Sequence, residues 1–436
     1  MSWIETNLKE FVDVESGAAF KSEEFIDTGI PVVKIANISN STLEKTKGDS
    51  YIAETELERY KNVIVNEGDV LIAMSGNTTC KMGRVSKEFA PSLVNQRVGW
   101  IKPISDEIDI NFVYHLLISD TYQKRLWTFA TATGQPNLSP RDIKRISFQK
   151  PHKPEQTAIA TILSKVDEAI EATQNSIKAA EKLKKALMQN LLTGKLKPDG
   201  TWRTEEEFYD DEKFGKVPKG WEVKKLKDVC LNAGEYGANA SAIDFEDGKA
   251  RYIRITDIDD YGNLIKENKA GIEHNKVKSY LLKENDFLFA RTGDTVGKSL
   301  LYKIEMGLAA FAGYLIKFTF TPKIILPEYF NLIAKSDIFE AFKIAMQRVG
   351  AKPNINSREY GSFRFLLPNE IAEQIIIYEK AKPLDNSIIE KQTKIQTLQR
   401  LKKSLMQNLL TGKVRLPADF IAQFESAVEE TIERQK

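Results

Sequence analysis

The sequence is poor in the residues that build disulfide frameworks and metal centres. Among 436 residues there are two cysteines, Cys80 and Cys230, and three histidines. Two distant cysteines exclude a disulfide scaffold and a cysteine zinc site, and they fit a reducing compartment. His115, His152 and His274 lie far apart in the chain and lack ligand spacing, so no metal site is expected.

Long apolar runs and a strong charge of one sign are also missing. No apolar run approaches the roughly 20 residues that a transmembrane helix needs, so no membrane partner is expected. Residues 1–11 lack a basic segment followed by an apolar core, which predicts no signal peptide and a cytoplasmic location. The net charge of +2 is nearly neutral. Composition alone therefore indicates no nucleic-acid partner, and any basic surface must be local.

Motifs for catalysis are likewise missing. Nothing resembles an Asn-Pro-Pro-aromatic methylation motif, a glycine-rich cofactor loop after a strand, or a nuclease carboxylate cluster. The segment GDTVGKS (293–299) has three residues between Gly293 and Gly297, whereas a phosphate-binding loop has four. The matching segment 76–83 has no Gly-Lys-Ser run at all. We expect the isolated chain to bind no cofactor and to have no catalytic activity.

The chain does contain one stretch written twice. Residues 183–196 read LKKALMQNLLTGKL and residues 401–414 read LKKSLMQNLLTGKV, with twelve of fourteen positions identical at an offset of 218. Further matches support the duplication, among them NDFLFARTGDT (285–295) with GDVLIAMSGNT (68–78). Such a repeat predicts two copies of one structural unit.

The repeat extends along two helices. In each helix the positions that would face a partner helix, called seam positions here, recur at alternating steps of four and three residues. They run from Ile159 to Leu191 and again from Ile377 to Leu409. Most of them are apolar, and the polar exceptions fall at the same two seam positions in both copies. A 3.5-residue period held this long is typical of a coiled coil. Two long helices packed on separate cores are the alternative. Pro383, inside the second helix, should kink or break it.

The linker between the halves favours an antiparallel pair. Its nineteen residues, 198–216, span at most about 63 Å when fully extended. A parallel pair would need nearly all of that reach, whereas an antiparallel pair needs little and relates the halves by a pseudo-two-fold axis. We therefore predict an α+β fold in which two similar mixed α/β domains are joined by two long helices that form an antiparallel coiled coil.

The predicted organisation follows the repeat from end to end. The expected segments are a first domain at 1–152, a central long helix at 153–197, an acidic linker at 198–216, a second domain at 217–370, a distal long helix at 371–415 and a C-terminal tail at 416–436. The tail carries Phe420, Phe424, Val428 and Ile432 on one helical face, which predicts that it docks on the chain's own surface.

The duplicated LMQNLLTGK segments and the domain opening GWEVKKLKDV (220–229) resemble specificity subunits of type I restriction–modification systems. The resemblance covers essentially the whole chain. It implies that each globular domain is a target-recognition domain reading one half of a bipartite site on double-stranded DNA. It also implies that the helices fix the unread spacer and dock two methyltransferase subunits, which recruit restriction subunits.

Candidate DNA-binding residues are polar loop residues with hydrogen-bonding capacity, the groups that major-groove recognition uses. In the first domain they are Lys34, Asn37, Ser75, Asn77, Thr78, Lys81, Arg84, Gln96, Arg97, Gln135, Asn137 and Arg141. In the second domain they are Arg254, Asp257, Arg291, Thr292, Asp294, Thr295, Lys298, Arg348, Lys352, Asn354 and Arg358. For each residue a solvated surface group or a backbone-satisfying turn residue is an equal alternative.

Candidate partner-binding residues flank the helix seam. Leu183, Met188, Leu401 and Met406 could either pack within the chain or contact a methyltransferase subunit. Two other functions compete with DNA specificity. A coiled-coil scaffold that binds only protein would show no sequence-dependent DNA binding, and an enzyme using the loop at Lys298 would turn over ATP.

Overall fold

The chain divides into two compact units in the computed structural model. Unit 1 contains Met1–Gln174 and Thr393–Lys436, and unit 2 contains Asn175–Gln392. Each unit therefore holds one globular domain and one part of each long helix. The described residues are 3–39, 42–132, 134–273, 277–346 and 353–425.

Among its described residues, unit 1 has twelve short strands and three short helices before the first long helix. Its strands are β1 (Ile4–Asn7), β2 (Val12–Ser16), β3 (Ile30–Val33), β4 (Ile38–Ser39), β5 (Thr42–Leu43), β6 (Tyr51–Ile52), β7 (Ile64–Val65), β8 (Val70–Ala73), β9 (Met82–Arg84), β10 (Ser92–Val94), β11 (Val98–Pro103) and β12 (Ser147–Lys150). Its helices are α1 (Ile110–Ile118), α2 (Asp120–Ala130), α3 (Pro140–Lys144) and the start of α4 (Lys153–Leu192).

Unit 2 has the second set of twelve strands. They are β13 (Phe208–Asp211), β14 (Gly215–Pro218), β15 (Trp221–Lys225), β16 (Glu235–Tyr236), β17 (Ala242–Asp244), β18 (Arg251–Ile253), β19 (Ala270–Ile272), β20 (Asp286–Ala290), β21 (Ser299–Leu301), β22 (Ala309–Phe311), β23 (Leu315–Thr319) and β24 (Arg364–Pro368). The helices that follow α4 in the chain are α5 (Pro327–Ile333), α6 (Asp337–Met346), α7 (Ser357–Gly361), α8 (Ile371–Leu409) and α9 (Ala418–Ala422).

The sheets of the two domains correspond. The order β2-β11-β8-β9 in unit 1 matches β16-β23-β20-β21 in unit 2. A second four-stranded sheet in each domain contains one parallel pair, β3 with β10 and β18 with β22. In each domain the first strand also pairs with the strand that precedes the long helix, as β1 with β12 and β15 with β24. The predicted α+β class, with two similar domains and two long helices, is confirmed.

In unit 1 the start of α4 packs antiparallel against the end of α8. Ile159 and Leu163 share one buried core with Leu409 and Leu410. Lys402, earlier on α8, forms an ion pair with Asp167, later on α4, with Nζ and Oδ1 2.6 Å apart. Residues later on α4 contact residues earlier on α8, so these two helix segments run antiparallel.

In unit 2 the end of α4 packs antiparallel against the start of α8. Met188 and Leu191 share a buried core with Ile377 and Ala381, and Lys184 pairs with Asp385. Every seam position in both helices is buried or half-buried. Knobs-into-holes packing and the pseudo-two-fold axis stay predictions.

Both long helices end at a glycine in the left-handed region. Gly194 has φ of 67° and Gly412 has φ of 69°. The amide of Leu196 donates to the carbonyl of Asn190 at 3.1 Å, which satisfies a carbonyl that the helix itself leaves unpaired. The Thr-Gly dipeptide therefore ends both α4 and α8.

Three segments differ from the sequence expectations or extend them. The linker 198–216 is partly folded, because it contains most of the β13–β14 hairpin. Pro383 does not break the distal helix, because α8 continues through it and Ala381 and Ile388 on either side are buried. In the tail, α9 buries Ile421 and the rings of Phe420 and Phe424 touch. Val428 and Ile432 lie outside the described residues.

Candidate nucleic-acid interface

In the first domain the backbone brings three predicted loops together at the end of β8. The amide of Met74 donates to the carbonyl of Arg97 at 2.9 Å, and the amide of Leu138 donates to the carbonyl of Met74 at 2.7 Å. Ser75 pairs with Asn137 in an isolated β-bridge. Loops that are 20 to 60 residues apart in sequence are therefore fixed side by side by main-chain hydrogen bonds.

Most predicted residues on these loops have exposed side chains. The exposed ones share loop positions or the first turn of α3, and they are Asn77, Lys81, Gln96, Arg97, Gln135, Asn137 and Arg141. They combine amides with three cations, so the surface offers both hydrogen-bond donors for base edges and positive charge for phosphates.

Other predicted residues of the first domain are engaged within the protein. Asn37 is 3% exposed, accepts a hydrogen bond from the amide of Lys34 and donates to Asp49. The Lys34 Nζ bonds the hydroxyl of Ser50, and the Thr78 hydroxyl donates to the carbonyl of Ile35 at 2.9 Å. Asn37 thus has the turn role that the sequence left open.

Arg84 and Ser75 differ from the loop group. Arg84 lies on β9 with its guanidinium 4.6 Å from the Tyr114 ring centroid and 3.3 Å from the hydroxyl of Ser164 on α4. These contacts tie the domain to its helix. The hydroxyl of Ser75 is buried and has no hydrogen-bond partner among the described residues.

The second domain has the same backbone arrangement at the end of β20. Thr292 pairs with Asn354 in an isolated β-bridge. The amide of Arg291 donates to the carbonyl of Tyr314 at 3.0 Å, and the amide of Ile355 donates to the carbonyl of Arg291 at 2.9 Å. The Arg291 Nε lies 3.5 Å from the Asn354 side-chain oxygen.

Three predicted residues of the second domain form ion pairs within the protein. Arg254 makes two hydrogen bonds to Asp257, at 2.9 and 3.0 Å, and the carboxylate of Asp257 raises the pKa of Arg254. Asp257 is 3% exposed and also accepts from the Arg254 amide, which is a turn role. Lys298 pairs with Asp260 at 2.6 Å, and this lysine lowers the pKa of Asp260.

The remaining predicted residues of the second domain vary in placement. Asp294, Asn354 and Arg358 are exposed, while Thr292 and Thr295 are half-buried. Thr295 donates to the carbonyl of Thr292 at 3.0 Å. Arg348 and Lys352 lie outside the described residues.

Two tyrosines that were not predicted belong to this surface. Tyr236 and Tyr314 are 42% and 62% exposed, and the Arg291 guanidinium lies 4.9 Å from the Tyr236 ring centroid. Burial alone would raise the pKa of Tyr236, but the hydrogen bond from Ser357 and the charge of Arg291 lower it overall. The equivalence of Tyr314 to Arg97, at an offset of 217, was the sequence signal that could have indicated it.

A cavity of about 760 Å³ lies in unit 2 beside Lys298. Its lining also includes Lys335. The lining carries six lysines and seven carboxylates, so it has no excess of positive charge. Such a lining does not favour a nucleotide phosphate.

The helix residues predicted to bind partners separate into two pairs. Leu183 and Leu401, which are equivalent in the repeat, are 59% and 46% exposed. Met188 is 6% exposed in the core of unit 2, and Met406 is partly buried against the core of unit 1. The two leucines are therefore available to a partner.

The described histidines and both cysteines take no part in either surface. His115 is fully buried, and burial, followed by the charges of Arg84 and Lys402, lowers its pKa well below the usual value. His152 lies 3.8 Å from Glu155, and His274 lies outside the described residues. Burial raises the pKa of both cysteine thiols to about 12, which removes their nucleophilic character at neutral pH.

Two other kinds of feature are absent from the described residues. No group of three or more His, Cys, Asp or Glu side chains is arranged to hold a metal ion in this part of the chain. No helix in the same residues combines the length and apolar character needed to cross a membrane.

Comparison with known proteins identifies the class of domain present in both halves. The family described as the type I restriction modification DNA specificity domain matches residues 2–182 and again 218–400. The chain therefore belongs to the family of type I restriction–modification specificity subunits.

Individual relatives support this membership. Over 198 residues the chain is 32% identical to the type I restriction enzyme MjaVIII specificity subunit of Methanocaldococcus jannaschii, a match that spans 45% of this chain and 46% of that subunit. The MjaIX specificity subunit of the same organism is 24% identical over 434 residues, which cover 95% of this chain and 94% of the relative. In fold, the chain is similar to the S subunit of a type I restriction–modification system from M. genitalium, with a TM-score of 0.61 and 15% identity over 94% of this chain and 96% of the other.

Proposed function

We propose that this chain is the non-catalytic DNA-specificity and assembly subunit of a type I restriction–modification enzyme, in which each globular domain reads one half of a bipartite site. The observation that carries the proposal is the repeated β-bridge, Ser75 with Asn137 and Thr292 with Asn354. Each bridge gathers exposed hydrogen-bonding side chains from distant loops onto one local surface, and the side chains differ between the domains.

The chemistry of these surfaces suits duplex DNA. Amide and guanidinium groups make paired hydrogen bonds to base edges in the major groove, and lysines such as Lys81 supply charge for the phosphate backbone. The carboxylate-rich segment 205–212 would repel phosphate, so it belongs away from the DNA.

The long helices would set the distance between the two half-sites. A 40-residue helix such as α4 is about 60 Å long, more than the roughly 34–36 Å of one DNA turn. The methyl donor and the methylation chemistry would belong to two methyltransferase subunits, and restriction subunits would join through them. Leu183 and Leu401, exposed at equivalent helix positions, would contact one methyltransferase subunit each.

The test is to co-express the chain with its methyltransferase subunit and to map methylated bases across a genome. We expect a bipartite motif with a constant spacer, and exchange of residues 1–152 for the corresponding domain of a relative should change one half only. A contiguous motif, or no motif, would refute the proposal. Leu183→Glu with Leu401→Glu should abolish co-purification of the methyltransferase, whereas Gln189→Glu, on an exposed position of α4, should not.

A further inference from the structure

The two domains present different side chains at one equivalent backbone position. Met74 and Arg291 both follow the last residue of a central strand and immediately precede the bridged residue, Ser75 or Thr292. The amide of each donates to the equivalent carbonyl on the neighbouring loop. Met74 is 6% exposed, whereas Arg291 is half-buried and reaches the surface.

Arg291 is held in place without being neutralised. Its guanidinium lies 4.9 Å from the ring centroid of Tyr236, and its Nε is 3.5 Å from the side-chain oxygen of Asn354. The hydroxyl of Tyr236 in turn accepts a hydrogen bond from the amide of Ser357 at 3.1 Å. Among the described residues no carboxylate forms an ion pair with Arg291.

Two other cations of the second surface contrast with it. Arg254 is paired with Asp257, and Lys298 is paired with Asp260. A guanidinium that is stacked on an aromatic ring loses little freedom when it binds, because its planar fork is already oriented. Arg291 is thus a preorganised donor, and no carboxylate among the described residues occupies its fork.

Resting on the proposed function, we propose that Arg291 reads a guanine in the half-site of the second domain. A guanidinium can donate two parallel hydrogen bonds to O6 and N7 of guanine, which present the only purine edge with two acceptors in the major groove. Asn354 and Tyr236 act as positioning residues for this contact. The first domain cannot make it from the same position, because Met74 is apolar and buried.

The experiment uses the complex of the full chain with its methyltransferase subunit and synthetic duplexes that carry its mapped motif. Each guanine of the second half-site is replaced in turn by 7-deazaguanine, which lacks the N7 acceptor. One replacement should slow methylation about ten- to hundredfold with the unchanged chain. The same replacement should have no further effect with Arg291→Gln. Discrimination in the first half-site should stay as it was.

Two further variants keep the outcomes distinct. Arg291→Lys retains the charge but lacks the fork, so it should lose discrimination at that one position while keeping its salt dependence. Arg400→Gln, an exposed arginine of α8, should leave the motif unchanged. Circular dichroism and melting curves check that each variant is folded.

Several results would overturn the inference while leaving the proposed function standing. One is a bipartite motif whose second half contains no guanine on either strand. Another is an equal loss on every sequence with Arg291→Gln, which would make Arg291 a phosphate contact. Failure to find any bipartite motif would instead refute the proposed function itself.

Discussion

Two polar contacts that attach each domain to its helices are the same in the two halves, whereas the exposed loop surfaces differ. Gln156 accepts from the amide of Asp109 and donates to two carbonyls, and Gln374 makes the same three bonds in its own unit. By contrast, Met74 and Arg97 of the first surface correspond to Arg291 and Tyr314 of the second.

A second tie is also repeated. Glu155 accepts from the indole of Trp3 at 3.1 Å and from Arg415 at 2.6 Å. In the other unit Glu373 takes the same place between Trp221 and Arg203. In each triad the arginine follows the end of one long helix and the glutamate lies at the start of the other.

The comparison separates residues that maintain the fold from loop residues that can vary with the target. Contacts that hold a helix to its domain admit few side chains, because each buried polar group needs a matching partner. A loop side chain in water has no such requirement. One scaffold can therefore carry two unlike recognition surfaces.

The largest expected effect comes from the buried glutamines. Gln156→Leu and Gln374→Leu each remove the partner of one part-buried amide N–H, one part-buried carbonyl and one buried carbonyl. A polar group left buried without a partner costs about 1–3 kcal/mol, so we expect each variant to lower the unfolding free energy of its own unit by about 1–3 kcal/mol. Urea unfolding with hydrogen exchange resolved by unit would measure this.

The two variants should lose the same amount of unfolding free energy. If one variant cost several kcal/mol and the other almost nothing, the ties would not be equivalent despite their matching geometry. Gln189→Leu, at an exposed position on α4, is the matched control and should change stability little.

How much of this could be read from the sequence depends on the kind of contact. The helix seams were predicted, because hydrophobic spacing reports directly on helical geometry. The polar loops were predicted as a group, and Asn77, Arg97 and Asn137 do lie exposed around one bridge.

Side-chain direction could not be predicted. Arg84 and Asn37 have the same hydrogen-bonding capacity as their neighbours, yet one faces α4 and the other fills a turn. Tyr314 was missed since its equivalence to Arg97 depends on a one-residue change in offset, from 218 in the helices to 217 in the loops. The match of 285–295 with 68–78 already has the offset of 217, and the hydrogen-bonded register extends it to Arg97 and Tyr314.

The stability of the two units should also depend differently on pH. His115 on α1 is buried, and its counterpart on α5 is Leu332. Burial, Arg84 and Lys402 lower the pKa of His115, while Asp167, 4.0 Å from Nδ1, faces it with the opposite charge. Below the unfolded value near 6.5, the unfolded chain binds a proton that the folded chain does not.

Unit 1 should therefore lose stability as the pH falls below about 6.5, by up to about 1.4 kcal/mol per pH unit. The contribution of His115 is fully present above that pH, and unit 2 has no equivalent. Hydrogen exchange at pH 7 and pH 5, corrected for intrinsic rates, would measure each unit. In His115→Leu the slope of unit 1 should approach that of unit 2, and an unchanged slope would exclude His115 as its source.

The smallest expected difference concerns the two interhelical ion pairs. Asp167 is paired with Lys402 at 2.6 Å, lies 3.8 Å from Arg84, and has a side chain that is 20% exposed. Asp385 is paired with Lys184, and its side chain is 37% exposed. Water screens the second pair more, so its contribution should fall in the range of about 0–1 kcal/mol that is usual for surface pairs.

Asp167→Asn should therefore cost about 1–2 kcal/mol more than Asp385→Asn, because it also leaves Arg84 and Lys402 close together without their shared carboxylate. Thermal unfolding at low and high salt would measure both variants, and added salt should shrink the effect at Asp385 more than at Asp167. Glu168→Gln, which alters an exposed neighbour on α4, is the control. Equal costs and equal salt dependence would mean that burial does not distinguish the two pairs.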